Sequence, residues 1–311
     1  MAKKTVKKKI SKKIVNVETK VVHSEVKQFF HKKHSIKENV KTVFDLIRVG
    51  NCLMAAIAIL IGFYLASGAD YKLAAMAAIS GFLICGAGQA INDFFDAKID
   101  AKTSKERPIP SNRITAKKAL CLSIGMFLVG GFVSSLINTT ALQIAVIFAA
   151  LLIVYPLFMN KIKYLGNFVV AAGTAVTFIF GAAANASIPQ IIVYIFIISF
   201  LSNMGREITK DIQDLNKDKG EKRTLPMIIG TKLAKLFVAI YYILAIIGAL
   251  TIIPMFKNFY LMTYYVPLVI VSSAIFIFSI YLLHKNETIR SQKFSKVAML
   301  ISLIAFVLIA F

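Results

Sequence analysis

The sequence predicts an all-α membrane protein, a bundle of nine transmembrane helices, and three observations carry that prediction. The 311 residues are 58% hydrophobic and 17% charged with a mean hydropathy of +0.72, whereas soluble domains usually carry about 25% charge. Nine apolar runs of membrane-spanning length follow one another at 44–66, 72–91, 116–137, 140–158, 165–185, 188–204, 233–253, 259–283 and 295–311; a bilayer requires roughly 20 apolar residues per helix. The basic residues sort onto one side of these runs. With the N-terminus in the cytoplasm, only Lys72 and Lys257 of the 37 Lys and Arg fall opposite, which predicts an inside N-terminus and an outside C-terminus. The net charge of +22 therefore follows a membrane face and is not the patch of a nucleic-acid binder.

Taken in order, residues 1–41 are polar and Lys-rich, and no apolar h-region follows the early lysines, so no cleavable secretory signal is expected. Residues 1 to 17 read as a basic tail. Val22, Val26, Phe29 and Phe30 then recur at helical spacing with Lys27, Lys32 and Lys33 among them, which suits an interfacial amphipathic helix on an anionic membrane. The expected organisation is thus a basic N-terminal segment, 1–41, and a membrane domain, 42–311. Within the spans, Gly62, Gly86, Gly88, Gly173 and Pro267 are compatible with helices that pack in a bundle. The small-residue runs 171–175 and 181–184 suit close helix packing or room for a chain. Cys52, Cys85 and Cys121 lie in apolar runs without a C-x-x-C spacing, so neither a disulfide framework nor a zinc site is indicated. His23, His31, His34 and His284 lie outside the runs and are not paired as ligands.

Connections on the outer side are short, such as 138–139 and 186–187, but two inner ones, 92–115 and 205–232, are long. Long connections in a compact domain are usually functional. These two hold Asp93, Asp96, Asp100, Glu106 and Glu207, Asp211, Asp214, Asp218, Glu221, more than half of the 15 carboxylates. Asn92, Asp96 and Asp100 fall at i, i+4 and i+8, so a helix continuing past the second span presents them on one face with Asp93 beside them. Glu207, Asp211, Asp214 and Asp218 fall at i, i+4, i+7 and i+11, again one helical stripe. Like charges at that spacing repel unless a cation sits among them. Carboxylate and amide oxygens without Cys or His select a hard ion such as Mg²⁺. Lys102, Lys105, Arg107 and Arg113 follow the first cluster, and Arg206, Lys210 and Lys217 accompany the second; basic groups beside acidic ligands suit several phosphate oxygens. The alternative, a salt-bridged and solvated loop face, stands for either cluster alone.

These residues carry a resemblance. Asn92-x-x-x-Asp96-x-x-x-Asp100, Asp214-x-x-x-Asp218, the loop from Arg107-Pro108 to Ser111-Asn112-Arg113, the stretch from Tyr155-Pro156 through Lys161, Lys163 and Gly166-Asn167, and the nine-span layout together resemble the UbiA superfamily of intramembrane prenyltransferases. Arg206-Glu207-x-x-Lys210-Asp211 followed by Arg223-Thr224-Leu225-Pro226 looks most like its archaeal digeranylgeranylglyceryl phosphate synthases. The N-terminal extension departs from the pattern, as does Asn112, where Gly is commoner; Asn tolerates the same turn conformations.

The resemblance implies a helical bundle around a lipid-accessible cavity and Mg²⁺-dependent transfer of a geranylgeranyl group. The donor would be geranylgeranyl diphosphate, and the acceptor the free hydroxyl of geranylgeranylglyceryl phosphate. It further implies metal binding by Asn92, Asp93, Asp96, Asp100, Asp211, Asp214 and Asp218. Lys102, Arg107 and Arg113 would hold diphosphate; Arg206, Lys210 and Arg48 would hold the acceptor phosphate; Asn51 and Lys161 would join them in binding substrate. Tyr155 either shields an allylic cation or anchors at the interface. An aromatic acceptor is the alternative within the family. A transporter is the alternative outside it, but none of the 15 carboxylates lies deep in a span.

Overall fold

The computed structural model describes residues 36–158, 163–220, 223–255 and 259–311, and among them it contains helices and no strand. The chain divides into two compact units, Met1–Val43 and Phe44–Phe311. The interfacial helix expected around residues 22–30 lies outside the described residues.

Helix α1 (Ile36–Ile47) ends where Arg48 takes a left-handed conformation, φ 48° and ψ 62°, and the chain bends sharply into α2 (Val49–Leu65). Helix α3 (Tyr71–Thr103) starts on Asp70, whose carboxylate accepts the Lys72 N–H at 2.8 Å and the Leu73 N–H at 3.4 Å, satisfying donors that every helix start leaves orphaned. Thr115 caps α4 (Ala116–Ser135) in the same way, accepting from the Lys118 N–H at 3.3 Å. Then come α5 (Thr139–Phe158), α6 (Lys163–Ala184), α7 (Gln190–Gln213), two short helices, α8 (Leu215–Asp218) and α9 (Leu225–Ile229), and finally α10 (Thr231–Thr251), α11 (Phe259–His284) and α12 (Thr288–Ala310). Pro156 and Pro267 sit inside α5 and α11. Among the described residues eight helices, α3 to α7 and α10 to α12, are long and apolar enough to cross a membrane, and a ninth results when the 17-residue α2 is counted with the helix before it.

Helices α2 to α7, then α10, α11 and α12, each pack on the next, and α12 returns to α2, closing a ring. Leu128, Phe132 and Ile277 are more than half exposed on its outer side, as a lipid solvent permits. Lipid tails are as apolar as the side chains, so helix association here rests on close contact and polar pairs. Ser80 and Ser134 join α3 to α4 at 2.6 Å, and Ser272 and Ser302 join α11 to α12 at 2.7 Å.

Helices α2 and α6 meet through two reciprocal glycines. A Cβ on Gly62 would strike the Phe178 carbonyl, and one on Gly181 would strike the Ile59 carbonyl. The small residues of 181–184 therefore serve packing, with Ala182, Ala183 and Ala184 buried, whereas Gly173 lines the cavity described below. Gly181→Ala is expected to destabilise the protein by about 1–3 kcal/mol, the usual cost of overpacking where backbone must shift. Thermal unfolding in detergent checks it, with Gly131→Ala, where a Cβ meets open space, as the control.

Candidate active site

Helix α3 is 33 residues long, about 50 Å at 1.5 Å per residue, so its end projects well beyond a hydrocarbon core of about 30 Å. That overshoot carries Asn92, Asp93, Asp96 and Asp100 on a continuous helix, as the spacing predicts. Asn92 Nδ2 donates to Asp96 Oδ2 at 3.4 Å. Asp93, Asp96 and Asp100 are 3%, 5% and 4% exposed, a burial that charged groups endure only when paired or bound to a cation. Arg107, just after α3, donates to Asp100 Oδ2 at 2.5 Å and to Asp93 Oδ1 at 3.4 Å. Arg48 donates to Asp93 Oδ1 at 2.6 Å and also to Gln89 Oε1. Burial works against the Arg107 charge, but Asp100 and then Asp93 outweigh it and hold its pKa above the ordinary value.

The loop after Arg107 returns through a tight turn. Asn112 has φ 57°, and the N–H groups of Asn112 and Arg113 reach the Ile109 and Pro108 carbonyls at 3.0 Å each. Asn thus supplies the left-handed residue that Gly provides elsewhere. The turn directs Arg113 to Asp45 and the Glu106 carbonyl, away from the cavity.

The second cluster departs from its expected single stripe. Helix α7 ends at Gln213, Asp214 adopts φ −92° and ψ 10°, and a separate turn, α8, carries Asp218. Asp211 is fully buried and accepts from Asn167 Nδ2 at 2.7 Å. Glu207 is 4% exposed and pairs with Arg206 at 2.6 Å and with Lys210 at 3.6 Å. A single unbroken helix would rotate Asp214 and Asp218 with Asp211; the break at Asp214 lets Asp214 and Asp218 reach the cavity that Asp211 does not line. Lys217 Nζ donates to Ser104 Oγ, the C-cap of α3, at 3.0 Å, tying the two acidic segments together.

Both segments open on one cavity of about 970 Å³. Of the residues expected from sequence, Arg48, Asn51, Asn92, Asp96, Asp100, Arg107, Tyr155, Arg206, Lys210, Asp214 and Asp218 line it. Asp93 sits behind Arg48 and Arg107, Asp211 behind Asn167, Arg113 in its turn and Lys102 on an exposed face, none of them lining the cavity. Lys161 lies outside the described residues. Tyr155 OH lies over Gly166, where a Cβ would collide with it. The wall also takes Asn167 and Glu207, which the sequence motifs include, and Gln89, Ser104, Gln292 and Lys296, which sequence reasoning missed. Gln292 and Lys296 stand at i and i+4 in α12, and that spacing at the end of the last span was their only signal. Elsewhere the wall is mainly apolar, with Ile59, Phe148, Leu152, Phe178, Ile198 and Phe306, interrupted by hydroxyls such as Thr174, Ser199 and Ser272.

The donors fit a hard divalent ion: they are oxygens, they come from both acidic segments, and Asp96, Asp100 and Asp218 among them are buried. Among the described residues no group of three Asp, Glu, His or Cys side chains is placed to hold a metal ion by itself; Mg²⁺ usually takes one or two carboxylates and completes its shell with phosphates and water.

Comparison with known proteins identifies the family and the fold. The UbiA prenyltransferase family matches residues 55–304. Proteins named digeranylgeranylglyceryl phosphate synthase are similar over most of the chain. The one from Methanosarcina mazei is 36% identical over 286 residues, 86% of this chain and 98% of its own, and that from Methanothrix thermoacetophila is 33% identical over 278 residues, again 86% and 98%. A solved structure described as digeranylgeranylglyceryl phosphate synthase superposes with a TM-score of 0.71 at 34% identity, covering 88% of this chain and 99% of that one. A UbiA homolog from Archaeoglobus fulgidus, bound to GPP and Mg²⁺, shares the fold with a TM-score of 0.65 at 18% identity, over 87% of this chain and all of that one.

Proposed function

Because this chain belongs to the UbiA prenyltransferase family and is a prenyltransferase, we propose that it moves a geranylgeranyl group from geranylgeranyl diphosphate to the free hydroxyl of geranylgeranylglyceryl phosphate. The reaction forms the second ether bond of archaeal membrane lipids and releases pyrophosphate. One observation carries the reading: the two acidic segments and the basic side chains Arg48, Arg107, Arg206 and Lys210 line one cavity together with a large apolar surface that includes Ile59, Phe148, Phe178 and Phe306. A diphosphate and a phosphate fit the charged groups, and prenyl chains fit the apolar surface. The names of the relatives support the acceptor.

In this mechanism the bond between the allylic carbon and the diphosphate oxygen breaks, and the acceptor oxygen bonds to that carbon. The hydroxyl proton passes to a phosphate or diphosphate oxygen. Asn92, Asp96 and Asp100 on one side, and Asp214 and Asp218 on the other, would hold Mg²⁺, which when bound neutralises charge on the leaving group. Arg107, oriented by Asp100 and Asp93, donates to diphosphate oxygens. Arg48 shares Asp93 with Arg107 and so donates to the diphosphate, not to the acceptor phosphate expected from sequence. Tyr155 presents its ring to the cavity and shields the carbon as positive charge develops. The apolar wall excludes water that would otherwise capture it. The distribution of Lys and Arg supports a cytoplasmic active site in a multi-pass protein of the cell membrane.

Incubating the purified protein with geranylgeranyl diphosphate, Mg²⁺ and either geranylgeranylglyceryl phosphate or an aromatic acid tests the assignment. Turnover of the phosphorylated glyceryl ether is expected, and turnover of the aromatic acid alone overturns it. Chelating the divalent ions is expected to abolish product formation, and adding back Mg²⁺ to restore it.

A further inference from the structure

Besides the groups assigned to the diphosphate, the cavity wall holds a second group of charges of opposite balance. On α7, Arg206 and Lys210 stand at i and i+4; on α12, Gln292 and Lys296 do the same, and all four line the cavity. Helices α7 and α12 pack together and share an apolar cluster with α10 and α11 built on Ile208, Val238, Tyr242, Phe276 and Ala298. Tyr242 fills the space left by Gly205, where a Cβ would approach its ring to 2.5 Å. The two rows are therefore fixed relative to each other.

On the faces of α7 and α12 that line the cavity, the charged side chains are Arg206, Glu207, Lys210 and Lys296. Glu207 is the carboxylate that pairs with Arg206 and Lys210, so three cations share one anion. The surplus is close to the −1.5 to −2 that a phosphate monoester carries near neutral pH. Arg206 Nε is buried without a hydrogen-bond partner, a donor that an anionic oxygen would satisfy. At the α3 end the balance is reversed: Arg48 and Arg107 face Asp93, Asp96 and Asp100, which suits a diphosphate arriving with a divalent cation.

We propose that Lys296 and Gln292 of α12 complete, with Arg206 and Lys210 of α7, the cradle for the phosphate of the acceptor, and that this cradle selects a phosphorylated acceptor over an uncharged one. The inference rests on the reading of the acceptor given above and adds the helix that recognises it. Gln292 donates an amide N–H; Lys296 supplies the third cation.

The test uses the full chain with Lys296→Gln, Lys296→Arg and Gln292→Ala, saturating geranylgeranyl diphosphate, and two acceptors, geranylgeranylglyceryl phosphate and its dephosphorylated form. Lys296→Gln is expected to raise KM for the phosphorylated acceptor roughly 10- to 100-fold, as for the loss of one charge-assisted hydrogen bond. KM for geranylgeranyl diphosphate should stay within about twofold. Preference for the phosphorylated over the dephosphorylated acceptor should shrink by the same factor, and Lys296→Arg should recover most of it. An unchanged acceptor KM in Lys296→Gln, or a rise in the KM of the diphosphate instead, overturns the cradle while the wild-type activity stands. A wild-type protein that turns over only an aromatic acceptor overturns the reaction itself, and the cradle with it.

Discussion

Asp96→Asn and Asp218→Asn are each expected to lower kcat for prenyl transfer by about 10³-fold. Both side chains line the cavity, one from α3 and one from α8, and they are 5% and 8% exposed. Asn keeps the shape and one acceptor oxygen but removes the charge that a divalent ion requires. Charge stabilisation by a bound ion is worth several kcal/mol, and each 1.36 kcal/mol is about tenfold in rate. Asp96→Asn is expected to leave the unfolding temperature unchanged or to raise it, since it deletes one of several like charges crowded on the end of α3. Single-turnover rates across a Mg²⁺ titration check the prediction, with the Mg²⁺ concentration for half-maximal rate expected to rise in both variants. Full activity in both would remove the two acidic segments from the chemistry.

Asp93→Ala is expected to separate orientation from metal binding. Asp93 is 3% exposed, lies behind the cavity wall, and accepts from Arg48 at 2.6 Å and Arg107 at 3.4 Å. Without it Arg107 retains Asp100 and Arg48 retains Gln89, but the two guanidinium groups lose their common anchor. KM for geranylgeranyl diphosphate is expected to rise roughly 10- to 100-fold, the value of one or two charge-assisted bonds, while the Mg²⁺ requirement stays where it was. Breaking a fully buried ion pair costs about 3–5 kcal/mol; with the arginine side chains 35% and 32% exposed, solvent screening lowers the expected loss to about 2 kcal/mol. A shifted Mg²⁺ requirement with an unchanged KM would instead make Asp93 a metal ligand, as its neighbours in sequence suggest.

Much of the architecture was legible because the bilayer imposes simple arithmetic. Run lengths near 20 residues place helices within a few positions of those observed, as with 140–158 against Thr139–Phe158 and 259–283 against Phe259–His284. Hydropathy was blind to what happens beyond the hydrocarbon, so α3 and α7 run on to Thr103 and Gln213, and α12 begins at Thr288. The i, i+4, i+8 spacing of Asn92, Asp96 and Asp100 was a sound guide because α3 stays helical through all three. The same reasoning misplaced the second segment, since nothing in a charge spacing announces a break at Asp214.

By itself the sequence determined the solvent, the helical class and the two oxygen-rich segments, because each depends on composition or on spacing within one stretch of chain. Only the tertiary structure decided that both segments open on one cavity, that Asp93 and Asp211 stand behind it, and that Gln292 and Lys296 join its wall from 74 or more positions beyond Asp218. Those facts depend on which helix faces meet, and in a lipid solvent that is settled by close contacts such as Gly62 on Phe178 and Gly181 on Ile59, where shape and not hydrophobicity selects the partner.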